Sequence, residues 1–240
     1  MRALSKLYIT TLALIVGQAF QPDIQAKPES TVQQKWHASY TNDFSKYKVG
    51  EDDPEGLFIL DGDFKVTETQ GNKTLMLPGD PLDQFGFLFG PRIPADLAVQ
   101  CRFLSEKQGR RMPTFSLAMG GVTGFRIKVN PAHRKLQLMK EDAIVADTPF
   151  RWVSGQWLTL RLQRQKIPHQ DPGIQNPRWR IQAKAWQGRD EPEGWSIQHE
   201  SDKKQTAGKC SAWGAPYSTH RIYFDELAVF STLVYSNPRN

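Results

Sequence analysis

Leu158-Thr159-Leu160-Arg161-Leu162 sets three leucines on one side of an extended chain and a threonine and an arginine on the other. Successive side chains of a β-strand point to opposite faces, so this two-residue period marks a strand with one dry face and one wet face. Phe125-Arg126-Ile127-Lys128-Val129 repeats the pattern, and so does Trp179-Arg180-Ile181-Gln182-Ala183-Lys184-Ala185. Beyond the N-terminal segment, no stretch of similar length carries an apolar stripe at helical spacing. Runs of strand character fall at residues 62–68, 73–77, 85–89, 97–105, 113–119, 125–130, 135–141, 143–147, 157–163, 179–186, 195–199 and 221–230. Segments 130–134, 165–178 and 188–194, rich in Pro, Gly and Asp, supply the turns between them. Short strands at this spacing predict an all-β fold, a two-sheet antiparallel β-sandwich of jelly-roll type. No internal repeat and no linker divides the chain, so residues 38–233 form one domain, followed by a tail at 234–240.

The N-terminus has a different character. Arg2 and Lys6 precede an apolar run from Leu7 to Gly17, and Gly17 and Ala19 set up cleavage after Ala19. That arrangement reads as a signal peptide over residues 1–19, directing the chain to the periplasm or the exterior. The run is shorter than the ~20 residues that span a bilayer, so no stable membrane insertion is expected after cleavage. Residues 20–37, polar and without periodicity, read as a leader to the domain. The formal charge of +6 falls to +4 without Arg2 and Lys6. The excess is scattered, and its densest pair, Arg110-Arg111, is no nucleic-acid footprint. The two cysteines, Cys101 and Cys210, are either a disulfide of an oxidising compartment or buried thiols, since Cys101 lies on the apolar side of its run.

Several stretches are similar to the concanavalin A-like lectin/glucanase superfamily, particularly its laminin-G-like bacterial members. Asn42-Asp43-Phe44 resembles the opening of the first strand, and Gly155-Gln156-Trp157 leads into the G-x-W strand. Trp179 to Trp186, followed by Glu191-Pro192-Glu193-Gly194-Trp195, resembles the paired late strands. Tyr223-Phe224-Asp225-Glu226-Leu227-Ala228-Val229 resembles the closing F-D-x-L-x-V strand. The resemblance implies the jelly roll. It leaves function open among a lectin, a hydrolase of the group acting on oxidised disaccharides, and a structural cell-envelope domain.

The residues favour binding over catalysis. Glucanases of this fold carry carboxylates at alternate positions of one strand, and no E-x-D-x-E run is present. The five histidines match no metal-protease pattern, and there is no G-x-S-x-G elbow. No catalytic residue is assigned. Trp186 lies on the polar side of its strand in phase with Arg180, Gln182 and Lys184. It is either a stacking surface for an oligo- or polysaccharide, with Arg126 and Lys128 as companions on the same face, or a residue packed under the next loop with Trp195. Trp213 and Tyr217, read as part of a Gly/Pro turn, carry the same two alternatives. By alternation Asp225 shares a face with Tyr223, Leu227 and Val229, where an unpaired charge is costly. The resemblance offers a structural calcium held by Asp43 and Asp225; the alternative is a carboxylate capped by backbone N–H groups or a basic side chain.

Overall fold

The computed structural model describes residues 35–79, 83–121, 123–167, 177–203, 205–217 and 219–232. The expected signal peptide at 1–19, the expected leader as far as residue 34 and the expected tail at 234–240 lie outside them. Two antiparallel sheets make a sandwich. The first runs in the order β13 (Ile197–Ser201), β12 (Arg178–Gln187), β11 (Leu158–Ile167), β6 (Leu97–Leu104), β15 (Ile222–Ser231), β4 (Asn72–Leu77) and β3 (Lys65–Thr69). Its eighth strand, β1 (His37–Asn42), also pairs with β15. The second runs β10 (Ala143–Pro149), β9 (Lys135–Lys140), β8 (Phe125–Asn130), β7 (Thr114–Met119), β14 (Cys210–Ala215), β5 (Phe85–Phe89) and β2 (Leu57–Asp61). The all-β sandwich expected from the alternation is the architecture observed. No helix among the described residues is long and apolar enough to cross a membrane.

Alternation marks each strand's dry side. Phe125, Ile127 and Val129 are buried while Arg126 and Lys128 are half-buried, as the period requires. Phe87 from one sheet meets Phe224 from the other edge-on at 5.3 Å between ring centres, and Phe103 adds a second edge contact to Phe224 at 5.3 Å. Three strands escape the pattern. β1 is already paired at His37, so Asn42 ends the first strand where the reading had it begin. β2 is an edge strand beside an acidic loop. β14, Cys-Ser-Ala-Trp-Gly-Ala, lies between β7 and β5 and has no alternation to display, so Trp213 sits in a central strand and not in a turn.

The largest fully buried polar side chain among the described residues is Arg164, in phase with Leu158, Leu160 and Leu162 and 1% exposed. Its guanidinium donates to the carbonyls of Ile93, Ala95 and Thr206 and lies 5.5 Å from the Trp179 ring centre. Three carbonyl acceptors compensate for the desolvation of the charge and tie two loops to the sheet. Cys101 and Cys210 are free, fully buried thiols, so the disulfide alternative is not the one adopted. Cys101 faces inward from the first sheet and Cys210 from the second, and a bridge between facing sheets needs cysteines directly opposite each other, with Cα atoms within ~7 Å. The two are instead offset along the strands. Cys210 lies beside Arg164, while Cys101 is in register with Leu160, about 13 Å earlier on β11.

Candidate functional site

The outer face of the eight-stranded sheet gathers most of the polar residues singled out in the sequence. Thr159 is in register with Trp186 on one side and Arg102 on the other; Arg161 faces Lys184 and Gln100; Gln163 faces Gln182. Much of this surface is satisfied internally. Gln163 Nε2 donates to Gln182 Oε1 at 3.3 Å, and Gln182 Nε2 donates to Gln198 Oε1 at 3.0 Å, a glutamine ladder across three strands. Arg180 pairs with Glu200 at 3.5 Å, and Arg178 holds the same carboxylate at 2.7 Å. Lys184 is buried. Its Nζ donates to the Pro192 carbonyl at 2.6 Å and Glu191 Oε1 at 2.8 Å, and it lies 4.7 Å from the Trp195 ring centre and 5.9 Å from that of Trp186. Residues 188–195 therefore fold back over the strand, anchored on this ammonium.

Trp186 is left half-buried beside that loop, lining a cleft of about 310 Å³ with Gln100, Arg102, Thr159, Arg189, Glu191 and Glu226. Arg102 stacks on Trp157, 4.7 Å from the ring centre, and pairs with Glu226 Oε1 at 2.5 Å. Glu191 also approaches Arg161, at 3.6 Å. An indole wall, two carboxylates, two guanidinium groups, an amide and a hydroxyl converge on one small space. Sugars present C–H faces to such a ring and hydroxyls to such polar groups. Of the residues read together with Trp186, then, Arg180, Gln182 and Lys184 support the sheet and do not line the cleft. Gln100, Arg102 and Thr159, which do line it, carried a weak signal as the wet-side residues of their strands. Glu226 carried none.

Arg126 and Lys128 are not companions of Trp186. They lie on β8, on the outer face of the seven-stranded sheet, at the opposite exterior of the sandwich. The two-residue period separates inside from outside, and says nothing of which sheet a strand joins.

Asp225 also differs from its expected setting. The pairing of β15 with β6 shifts between Asp225 and Ala228, and Glu226 takes a φ of 47°, a bulge that inserts one residue. Phe224 and Leu227 both face the core across it, so Asp225 leaves the face of Leu227 and Val229 and turns outward with Tyr223. It remains buried, its Oδ1 accepting the Glu226 N–H at 2.7 Å. Burial chiefly, with Glu226 and Asp43 nearby, raises its pKa from 3.8 to about 6, against the opposing pull of the Glu226 N–H and Arg102. Asp43 does line a cleft with Asp225. Its own Oδ1 accepts from the Ser45 N–H at 3.1 Å and hydroxyl at 2.7 Å, which lowers its pKa. Lys73 lines the same cleft, its Nζ donating to the carbonyls of Ser45 at 2.9 Å and Tyr47 at 2.7 Å. Among the described residues no group of three or more His, Cys, Asp or Glu is placed to hold a metal ion. Calcium asks for six to eight oxygens, and here an ammonium already occupies two of the available carbonyls. The donor set does not fit it.

No protein-family model matches the sequence, and no characterised protein matches it at the sequence level. Solved structures do match in shape. The potassium-bound carbohydrate recognition domain of Emp46p is similar at a TM-score of 0.54 and 12% identity, covering 83% of this chain and 100% of that one. Its metal-free form gives a TM-score of 0.52 at 12% identity, over 84% and 100%. The exoplasmic/lumenal domain of VIP36, in a form bound to Ca2+ and Man, gives 0.50 at 10% identity, over 84% and 94%. The fold is the two-sheet sandwich that these carbohydrate recognition domains share. At such identities the shared sandwich carries no residue roles with it, and function rests on the clefts of this chain.

Proposed function

We propose that this protein is an exported, non-catalytic carbohydrate-recognition module that takes a saccharide in the Trp186 cleft. The observation that carries the reading is the convergence of one half-buried indole with Gln100, Arg102, Thr159, Glu191 and Glu226 around about 310 Å³. A pyranose stacked on Trp186 would find acceptors in the two glutamates and donors in Arg102 and Gln100, the mixed set that a vicinal diol needs. Both glutamates are paired with cations, Glu226 with Arg102 and Glu191 with Lys184. That suits hydrogen bonding to hydroxyls more than the proton delivery of a glycosidase, whose acid is a carboxyl kept neutral. The basic n-region and apolar run at the N-terminus support export to the periplasm or the exterior. A structural calcium at Asp43 and Asp225 forms no part of this reading, because the Lys73 ammonium sits in the same cleft.

Glycan-array screening of the purified protein, followed by titration of the best-bound glycan, tests the reading. Trp186→Ala is expected to weaken that glycan at least about tenfold, equivalent to ~1.4 kcal/mol, with an unchanged circular dichroism spectrum. A blank array, or a variant that binds as the parent does, would overturn it.

A further inference from the structure

The outer face of the seven-stranded sheet is built around a second tryptophan. Trp213 on β14 is in register with Gly86 on β5. A Cβ added to Gly86 would fall 2.4 Å from the indole ring carbons, so the ring lies flat on the backbone of β5 only because that residue is glycine. The indole Nε1 donates to Ser211 Oγ at 2.9 Å, which fixes its orientation. On the other flank, β7 presents the small residues Thr114, Ser116 and Ala118 outward. Over them Arg126 reaches from β8, its guanidinium carbon 5.0 Å from the centre of the Trp213 ring. Lys128 stands two residues along the same face, in register with Ser116. Toward the β2 edge, Leu88 and the exposed Phe58 extend the apolar part of the surface.

The charges here are arranged unlike those on the opposite exterior. There, Arg102, Arg161, Arg178, Arg180 and Lys184 each have a glutamate. On this face Lys135 pairs with Asp147 near the β10 edge, but Arg126 and Lys128 form no ion pair among the described residues. Burial disfavours the charged form of both; Asp142 offsets only part of this at Arg126, and Arg126 adds to the cost at Lys128. Two half-buried like charges side by side cost the fold free energy that an arriving anion would recover. The anion must also offer an apolar surface to an indole lying flat on the sheet, and an acidic sugar has both features.

We propose that this face is a second glycan site, specific for acidic oligosaccharide, with a sugar ring against Trp213 and its carboxylate or sulfate held by Arg126 and Lys128. The site is independent of the Trp186 cleft and stands or falls separately from it.

Calorimetric titration of the purified protein with hexagalacturonate, with a sulfated dextran oligomer and with neutral maltohexaose tests the assignment. At least one acidic ligand is expected to bind at least tenfold more tightly than maltohexaose, and the one preferred identifies the acidic group. The double variant Arg126→Gln/Lys128→Gln is expected to lose roughly 10- to 100-fold in that affinity, the size of one or two charge-assisted hydrogen bonds. Trp186→Ala is expected to leave it unchanged. Equal binding of acidic and neutral oligosaccharides would overturn the proposal. So would an unaltered affinity in the double variant, or an equal loss on Arg178→Gln, which removes a cation from the opposite exterior.

Discussion

Replacing Asp225 by asparagine should stabilise this protein at neutral pH, an unusual expectation for the removal of a buried carboxylate. Asp225 is 4% exposed, and its pKa is raised from 3.8 to about 6, with burial the largest cause. A folded-state pKa above the unfolded one means that the neutral carboxyl is the form folding prefers. The contribution is fully present below about pH 4 and is lost as pH rises through about 6. A difference of about two pH units is worth about 3 kcal/mol at 1.36 kcal/mol per unit, which sets the ceiling on the effect. Asp225→Asn is neutral at every pH and retains an Oδ1 to accept the Glu226 N–H, now at 2.7 Å. The variant is therefore expected to be about 2–3 kcal/mol more stable than the parent at pH 7.5. For a domain of this size that is roughly 5–10 °C in Tm. The two should converge at pH 4. Thermal melts followed by circular dichroism from pH 4 to 8, with and without EDTA, measure this directly. A variant no more stable than the parent at pH 7.5 in EDTA would refute the reasoning. A variant destabilised only without chelator would show that a bound cation neutralises Asp225, and would reinstate calcium at Asp43 and Asp225 against the argument from Lys73.

Two further expectations concern the core. Arg164→Met should cost about 3 kcal/mol or more in urea denaturation, because it leaves the carbonyls of Ile93, Ala95 and Thr206 without their donor; Arg164→Lys should recover only part of the loss, since an ammonium cannot match the guanidinium fork. Burial pushes the Cys210 thiol up to about 12 and the Cys101 thiol well above its usual range, so neither should react with a thiol reagent at pH 8 until the protein is unfolded, when two thiols per chain should appear.

Much of the architecture could be read from side-chain periodicity. Burying every second residue is what a sandwich strand does, so Phe125 to Val129, Leu158 to Leu162 and Trp179 to Ala185 declared both their conformation and their dry side. The same rule hid β14. A central strand of Cys, Ser, Ala, Trp, Gly and Ala is buried at nearly every position, and small residues on the wet side make it look like a turn. Trp213 was misplaced for that reason, and Gly86, the residue that lets its ring lie down, has meaning only once the two strands are in register.

The sequence by itself determined the all-β class, the strand faces and the polar character of the surface around Trp186, because these depend on the order of residues along one strand. Tertiary structure alone decided which exterior each polar stripe occupies, since the two-residue period is identical in both sheets. It sent Arg126 and Lys128 to the face opposite Trp186. It also kept Cys101 and Cys210 apart, as the two are offset along the strands by more than a disulfide spans. At Asp225 a bulge of one residue reversed the alternation, turning a carboxylate expected over the core toward the cleft it shares with Asp43 and Lys73.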